Sequence, residues 1–143
     1  MKAIGYKENL PIEDVKSLQD VELGMPKAIG KDILVEIKAI SVNPADYKVR
    51  AGMPVEGDDW KIIGWDATGI VNEVGDDVTL FKVGDEVWYA GDFTRQGSYA
   101  QYQVVDERIV GKKPSSLSYA EAAALPLTSL TAWEMLFDRL EVA

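Results

Sequence analysis

A chain of 143 residues with no cysteine and no histidine is left with amides, hydroxyls, carboxylates and cations for any chemistry it performs. The missing cysteine removes disulfides, thiolate nucleophiles and thiolate metal sites. The missing histidine removes the commonest zinc ligand and the commonest general base. Three stretches then stand out: residues 41–52 (SVNPADYKVRAG), 64–87 (GWDATGIVNEVGDDVTLFKVGDEV) and 122–135 (AAALPLTSLTAWEM). By itself the first is a capped helical turn, with Asn43 as cap and Lys48 and Arg50 in solvent. The second is a β-corner and hairpin. Gly69, Gly75 and Gly84 suit tight or positive-φ positions there, and Val71, Val74, Val78, Phe81 and Val87 suit a core. The third is helix packing around a proline break.

The elements that must hold these stretches are mostly strands. Residues 33–42 (ILVEIKAISV) are β-rich, with Glu36 and Lys38 on one side. Residues 2–6, 21–23, 68–74, 86–90 and 98–105 are further short strand candidates, separated by glycine-bearing breakers. Short strands at close spacing predict a small barrel or sandwich rather than a parallel α/β sheet. Asn43-Pro44 starts a helix expected over 44–51, which Gly52 ends. A second, broken helix is expected over 119–140. Ser118 and Glu121 stand at capping-box spacing, Pro126 interrupts, and Leu127, Leu130, Trp133, Phe137 and Leu140 recur at helical intervals.

Composition narrows the function classes. The hydrophobic share of 47% suffices for a core, and the formal net charge is −9, so a phosphate backbone or an anionic lipid surface is repelled. Nucleic acid and membrane are therefore not expected partners. With no membrane-length apolar run and no signal-peptide core, the expected compartment is the cytoplasm.

Four motifs occur in order: Asn43-Pro44-x-Asp46-x-Lys48-x-Arg50; Gly64-x-Asp66-x-x-Gly69-x-Val71-x-x-Val74-Gly75; Gly84-Asp85-x-Val87; and Leu125-Pro126-Leu127-x-x-Leu130-Thr131-Ala132-Trp133. Together they resemble the catalytic domain of the medium-chain dehydrogenase/reductase superfamily, and most closely its zinc-free quinone oxidoreductase branch. That branch includes proteins named zinc-type alcohol dehydrogenase-like. The resemblance runs over all of 1–143. It implies a mainly β, α+β fold: a GroES-like, partly open β-barrel with peripheral helices. In the family this domain faces a Rossmann domain that holds the dinucleotide. No glycine-rich dinucleotide fingerprint follows a strand in these residues, so a Rossmann half is read as absent and the chain as a truncated one.

The resemblance also implies roles. Zinc-dependent relatives have Cys where Asn43 stands, His where Trp65 stands and Cys where Leu127 stands, so no zinc is expected. Asp66 matches the acid beside the lost His, and one carboxylate does not hold a catalytic zinc. The implied reaction is hydride transfer to a quinone or an activated alkene (enone), with NADP(H) as cofactor in the full-length protein and NADPH preferred over NADH. Asn43 and Lys48 are the candidate catalytic residues, and with Thr131 they are the candidate cofactor-binding residues. Asn43 supplies an amide donor where zinc would have been. Lys48 lies where relatives place a residue near the nicotinamide ribose, and Thr131 matches a threonine whose hydroxyl approaches the nicotinamide. Asp46 and Arg50 are expected to brace the turn. The full-length protein is expected to be a homodimer. The alternatives are a stand-alone GroES-like binding module and an alcohol dehydrogenase with a divergent zinc site.

Overall fold

The computed structural model describes residues 1–142 apart from Glu56 and Asp58. The strands are β1 (Lys2–Tyr6), β2 (Gln19–Glu22), β3 (Asp32–Ser41), β4 (Lys61–Ile62), β5 (Asp66–Val74), β6 (Glu86–Ala90), β7 (Tyr102–Asp106) and β8 (Val110–Lys112). Helix α1 (Pro44–Gly52) follows β3, and α2 (Tyr119–Ala123) and α3 (Pro126–Trp133) follow β8. The last helix continues as a π-helical turn, Glu134–Arg139.

All strand pairs are antiparallel, in a three-stranded sheet of order β2-β1-β4 and a five-stranded sheet of order β7-β3-β5-β6-β8. The segment before β7 joins them. Ile4 N–H donates to Tyr99 O at 2.8 Å, Tyr99 N–H donates to Ile63 O at 2.9 Å, and Ile37 N–H donates to Gln101 O at 2.9 Å. The two sheets thus stay open to one another instead of closing into a full barrel, as the GroES-like reading expects.

Expected β1 and β6 coincide with the observed strands. Helix α1 runs one residue further than expected, and β5 starts two residues earlier, at Asp66. The strand expected over 98–105 begins only at Tyr102, because residues 97–101 alternate their backbone bonds between the two sheets. Strand β2 lies two residues earlier than expected at its start. Strands β4 and β8 fall outside the expected set, being two and three residues long, too short for a period-two pattern to register.

The core of the larger sheet is Ile33, Val35, Ala67, Val71, Val87, Tyr89 and Val105, with Val74, Val78 and Phe81 packed at its edge. A second cluster of Tyr6, Ile63 and Trp65 packs against Ala45 and Val49 of α1. Helix α2 is pinned to β5 because Thr68 Oγ1 donates to Tyr119 O at 2.9 Å. Helix α3 departs from this pattern. Its apolar stripe is exposed: Leu130, Trp133, Phe137 and Leu140 all face outward. The periodicity is helical as expected, but the packing is not made.

Candidate functional site

Asp66 opens β5 on a strand paired on both sides, with Ser41 opposite it on β3 and Ala90 on β6. Its side chain is fully buried, where a carboxylate oxygen left without a partner is costly. Oδ2 accepts from Asn43 Nδ2 at 2.9 Å, and Oδ1 accepts from Leu127 N–H at 2.7 Å. One carboxylate thus joins the three stretches that the sequence sets apart.

Each partner is placed by local rules. Asn43 is the N-cap of α1 in extended conformation, with φ −120° and ψ 158°, and Pro44 follows at the first helical position. Asn43 and Asp46 form a capping box, in which Asp46 Oδ2 accepts from the Asn43 N–H at 2.6 Å. Capping leaves Asn43 Nδ2 able to reach Asp66. Pro126 begins α3, so Leu127 N–H is one of the first-turn amides that lack an intrahelical acceptor. A carboxylate is the favoured partner there.

Asp46 and Arg50 brace the turn, as expected, but both are buried, so Arg50 does not lie in solvent as its sequence stretch by itself suggests. Asp46 Oδ2 also accepts from Tyr99 Oη at 3.2 Å, and Arg50 Nη1 donates to Leu10 O at 2.8 Å. Asp46 Oδ1 and Arg50 Nε have no partner among the described residues. Burial raises the Asp46 carboxyl above its ordinary 3.8, against the opposing pull of the Asn43 N–H and the Tyr99 hydroxyl. Burial also raises Asp66, opposed by Asn43 and Leu127 N–H and reinforced by the charge of Asp46.

The sign of the consequence is set by linkage. A carboxyl that binds its proton more tightly in the folded state adds stability as pH falls through the raised value, and that stability is complete below the unfolded value. Asp46→Asn removes the titrating group and keeps its shape. In urea unfolding, the stability of the parent minus that of the variant should therefore rise as pH is lowered from neutral towards the ordinary aspartate value. A difference that falls with acidification is the result that refutes it.

Lys48 stands on the exposed side of α1, with no hydrogen bond or ion pair among the described residues. Thr131 is exposed, one turn along α3 from Leu127, and its Oγ1 donates to Leu127 O at 2.9 Å. The structure therefore links Asn43 to Thr131 through Asp66 and Leu127, and places Lys48 outside that chain of bonds. Asp66 is the residue that sequence reasoning passed over as a site residue. Its available signal was an acid directly before the run Ala67-Thr68-Gly69-Ile70-Val71, at the head of a strand.

The donor set at this point does not fit zinc. Asn43 Nδ2 donates to Asp66, Trp65 packs with Tyr6 and Ile63, and Leu127 has a hydrocarbon side chain. Among the described residues no group of three or more His, Cys, Asp or Glu is arranged to hold a metal ion. Beside α3 a groove of about 290 Å³ runs to β6 and β8, lined among others by Trp88, Ile109, Leu130 and Trp133. No helix among the described residues is long and apolar enough to cross a membrane.

Residues 30–115 match the family model described as the alcohol dehydrogenase GroES-like domain. A zinc-type alcohol dehydrogenase-like protein of Staphylococcus epidermidis is 41% identical over 138 residues, which are 96% of this chain and 40% of that protein. A Rhizobium etli CFN 42 crystal structure, assigned as a zinc-dependent alcohol dehydrogenase, is 62% identical with a TM-score of 0.95, covering 99% of this chain and 41% of that one. The Escherichia coli quinone oxidoreductase in complex with NADPH is 29% identical with a TM-score of 0.82, covering 95% of this chain and 40% of that one. The chain thus spans about two fifths of the length of these relatives. With the four ordered motifs, the open two-sheet fold and the family match over 30–115 in agreement, the chain belongs to the alcohol dehydrogenase GroES-like domain family of the medium-chain dehydrogenase/reductase superfamily.

Proposed function

We propose that this chain forms the acceptor-side wall of an NADPH-dependent reductase of quinones or enones that works without zinc. The observation that carries this reading is the hydrogen-bonded triad Asn43–Asp66–Leu127 N–H, in which Asn43 and Leu127 stand at two of the positions where the resemblance puts zinc ligands in metal-dependent relatives and Asp66 stands beside the third. The NADPH complex of the E. coli quinone oxidoreductase, superposable at a TM-score of 0.82, supports the choice of cofactor. The exposed face of α3 supports the arrangement as one wall of a cleft, because an apolar stripe of this kind marks a surface that another body covers.

A reduced nicotinamide, when bound, supplies the hydride that the acceptor carbon receives. Asn43 Nδ2 carries two hydrogens, of which Asp66 takes one; the other is the donor we assign to the acceptor carbonyl. As that oxygen gains negative charge, the Lys48 ammonium stabilises it or binds the ribose beside it. The Thr131 hydroxyl, whose proton goes to Leu127 O, would offer its oxygen to a bound nicotinamide. The acceptor oxygen takes its proton from solvent.

The test is NADPH oxidation with p-benzoquinone as acceptor, by a chain of the relatives' length that carries this sequence. Turnover should survive exhaustive chelation, and elemental analysis should find no stoichiometric zinc. Turnover lost on chelation and restored by zinc overturns the reading in favour of a zinc alcohol dehydrogenase. The 143-residue chain alone should show no turnover, because one wall cannot position nicotinamide against acceptor and positioning is a large share of catalysis.

A further inference from the structure

We infer that Asp66 is a positioning residue, whose buried carboxylate fixes Asn43 and the N-terminus of α3, with Thr131 one turn along it, at a set separation. Its consequence for turnover rests on the reductase reading above; the link itself does not.

The three groups it joins come from distant parts of the chain. Asn43 lies 23 residues before Asp66, and Leu127 lies 61 residues after it. Asp66 is the rigid member, held between β3 and β6 at the head of β5. Helix α3 is otherwise lightly held, since Pro126 is its one buried residue. The bond from Leu127 N–H to Asp66 is thus a main restraint on where α3 begins. Thr131 Oγ1 is bonded to the Leu127 carbonyl, so moving Leu127 moves Thr131 with it. A carboxylate suits this post because each of its two oxygens accepts from one N–H, and charge-assisted bonds are the stronger kind.

The chemistry offers a swap. Asp66→Asn sets an NH₂ group against Asn43 Nδ2, donor against donor, while its oxygen still accepts from Leu127 N–H. Asn43→Asp alone sets two carboxylates against each other. Combined, the two changes restore the pair with its polarity reversed: the side-chain amide introduced at position 66 donates to the carboxylate introduced at position 43. Aspartate remains a good N-cap for α1.

Two readouts are taken. In the 143-residue chain, hydrogen exchange at Leu127 N–H should speed up in Asp66→Asn and slow again in the swap. In the relatives'-length chain, Asp66→Asn should raise the NADPH KM severalfold and lower kcat about ten- to a hundredfold, the scale of an ångström-sized misplacement. The swap should return KM to near its parent value, since Thr131 is back in place. It should leave kcat low, since a carboxylate at position 43 has no N–H for the acceptor. A merely structural carboxylate would not divide KM from kcat in this way.

The proposal is overturned if folded Asp66→Asn matches the parent in both exchange and kinetics. It is equally overturned if the swap is no better than either single change, including the case in which none of the three folds. If the exchange pattern appears while the parent longer chain reduces neither quinone nor enone, the link stands and the reductase reading falls.

Discussion

Lys48→Met should lower quinone turnover by roughly ten- to a thousandfold, the range for loss of one preorganised electrostatic contact, and leave the fold nearly untouched. The two halves of that expectation have separate causes. Lys48 is exposed on α1 and has no partner among the described residues, so deleting its ammonium breaks no bond among them. The expected change in unfolding free energy is within about 0.5 kcal/mol. Turnover, by contrast, should lose the compact charge that the proposed reading puts where negative charge develops. Lys48→Arg should recover only part of the rate, because a planar guanidinium does not reproduce a point charge. The matched control is Lys38→Met. Lys38 is exposed on β3 and paired with Glu36 at 2.6 Å, away from the triad, and its loss should be silent. If both methionine variants reduce quinone at the parent rate, Lys48 is a solvated lysine and its assigned role goes.

Helix α1 was legible at its start, which Asn43 and Pro44 write in local chemistry, whereas its end falls one residue later than read, with Gly52 still helical and Met53 as the cap. The break between α2 and α3 was legible for a like reason, since Pro126 lacks the N–H that would continue the first helix. The triad was not. Asp66 reaches a backbone amide 61 residues away, and a backbone amide has no identity in a sequence, so nothing in the residue types at 127 announces the bond. The reading of position 127 fixed on a side chain that lacks a ligand atom, whereas the working atom is the amide nitrogen. The apolar stripe of α3 shows a second limit. Spacing tells which face of a helix is apolar, and Leu130, Trp133, Phe137 and Leu140 do share one. What covers that face is a matter of tertiary structure, and here the sheet does not.

Gly69 ties the fold to the site, and Gly69→Ala should destabilise the domain by about 1–3 kcal/mol, the range for forcing atoms into a packed core. The residue sits inside β5, opposite Ile37 on β3 and Val87 on β6. A bulge between Ile37 and Ala39 breaks the register beside it. The β3 backbone approaches closely here, and a Cβ at position 69 would fall against the Glu36 carbonyl oxygen and Val35 Cγ1. The obstacle is a backbone in the middle of a sheet, which cannot swing away as a side-chain tip can. In an open strand, alanine for glycine is normally a gain of roughly 0.5–1 kcal/mol, so a loss here measures the close approach itself. Gly24→Ala is the control: nothing lies within 4 Å of its Cβ position, and urea unfolding should show a change within about 0.5 kcal/mol. The effect should also travel. Asp66 lies three residues along the same strand, so a β5 displaced from β3 carries the carboxylate away from Asn43, and Leu127 N–H should exchange faster in Gly69→Ala. A Gly69→Ala domain that equals the parent in urea midpoint would mean that β3 gives way freely, and a strand that gives way cannot be what holds Asp66 in place.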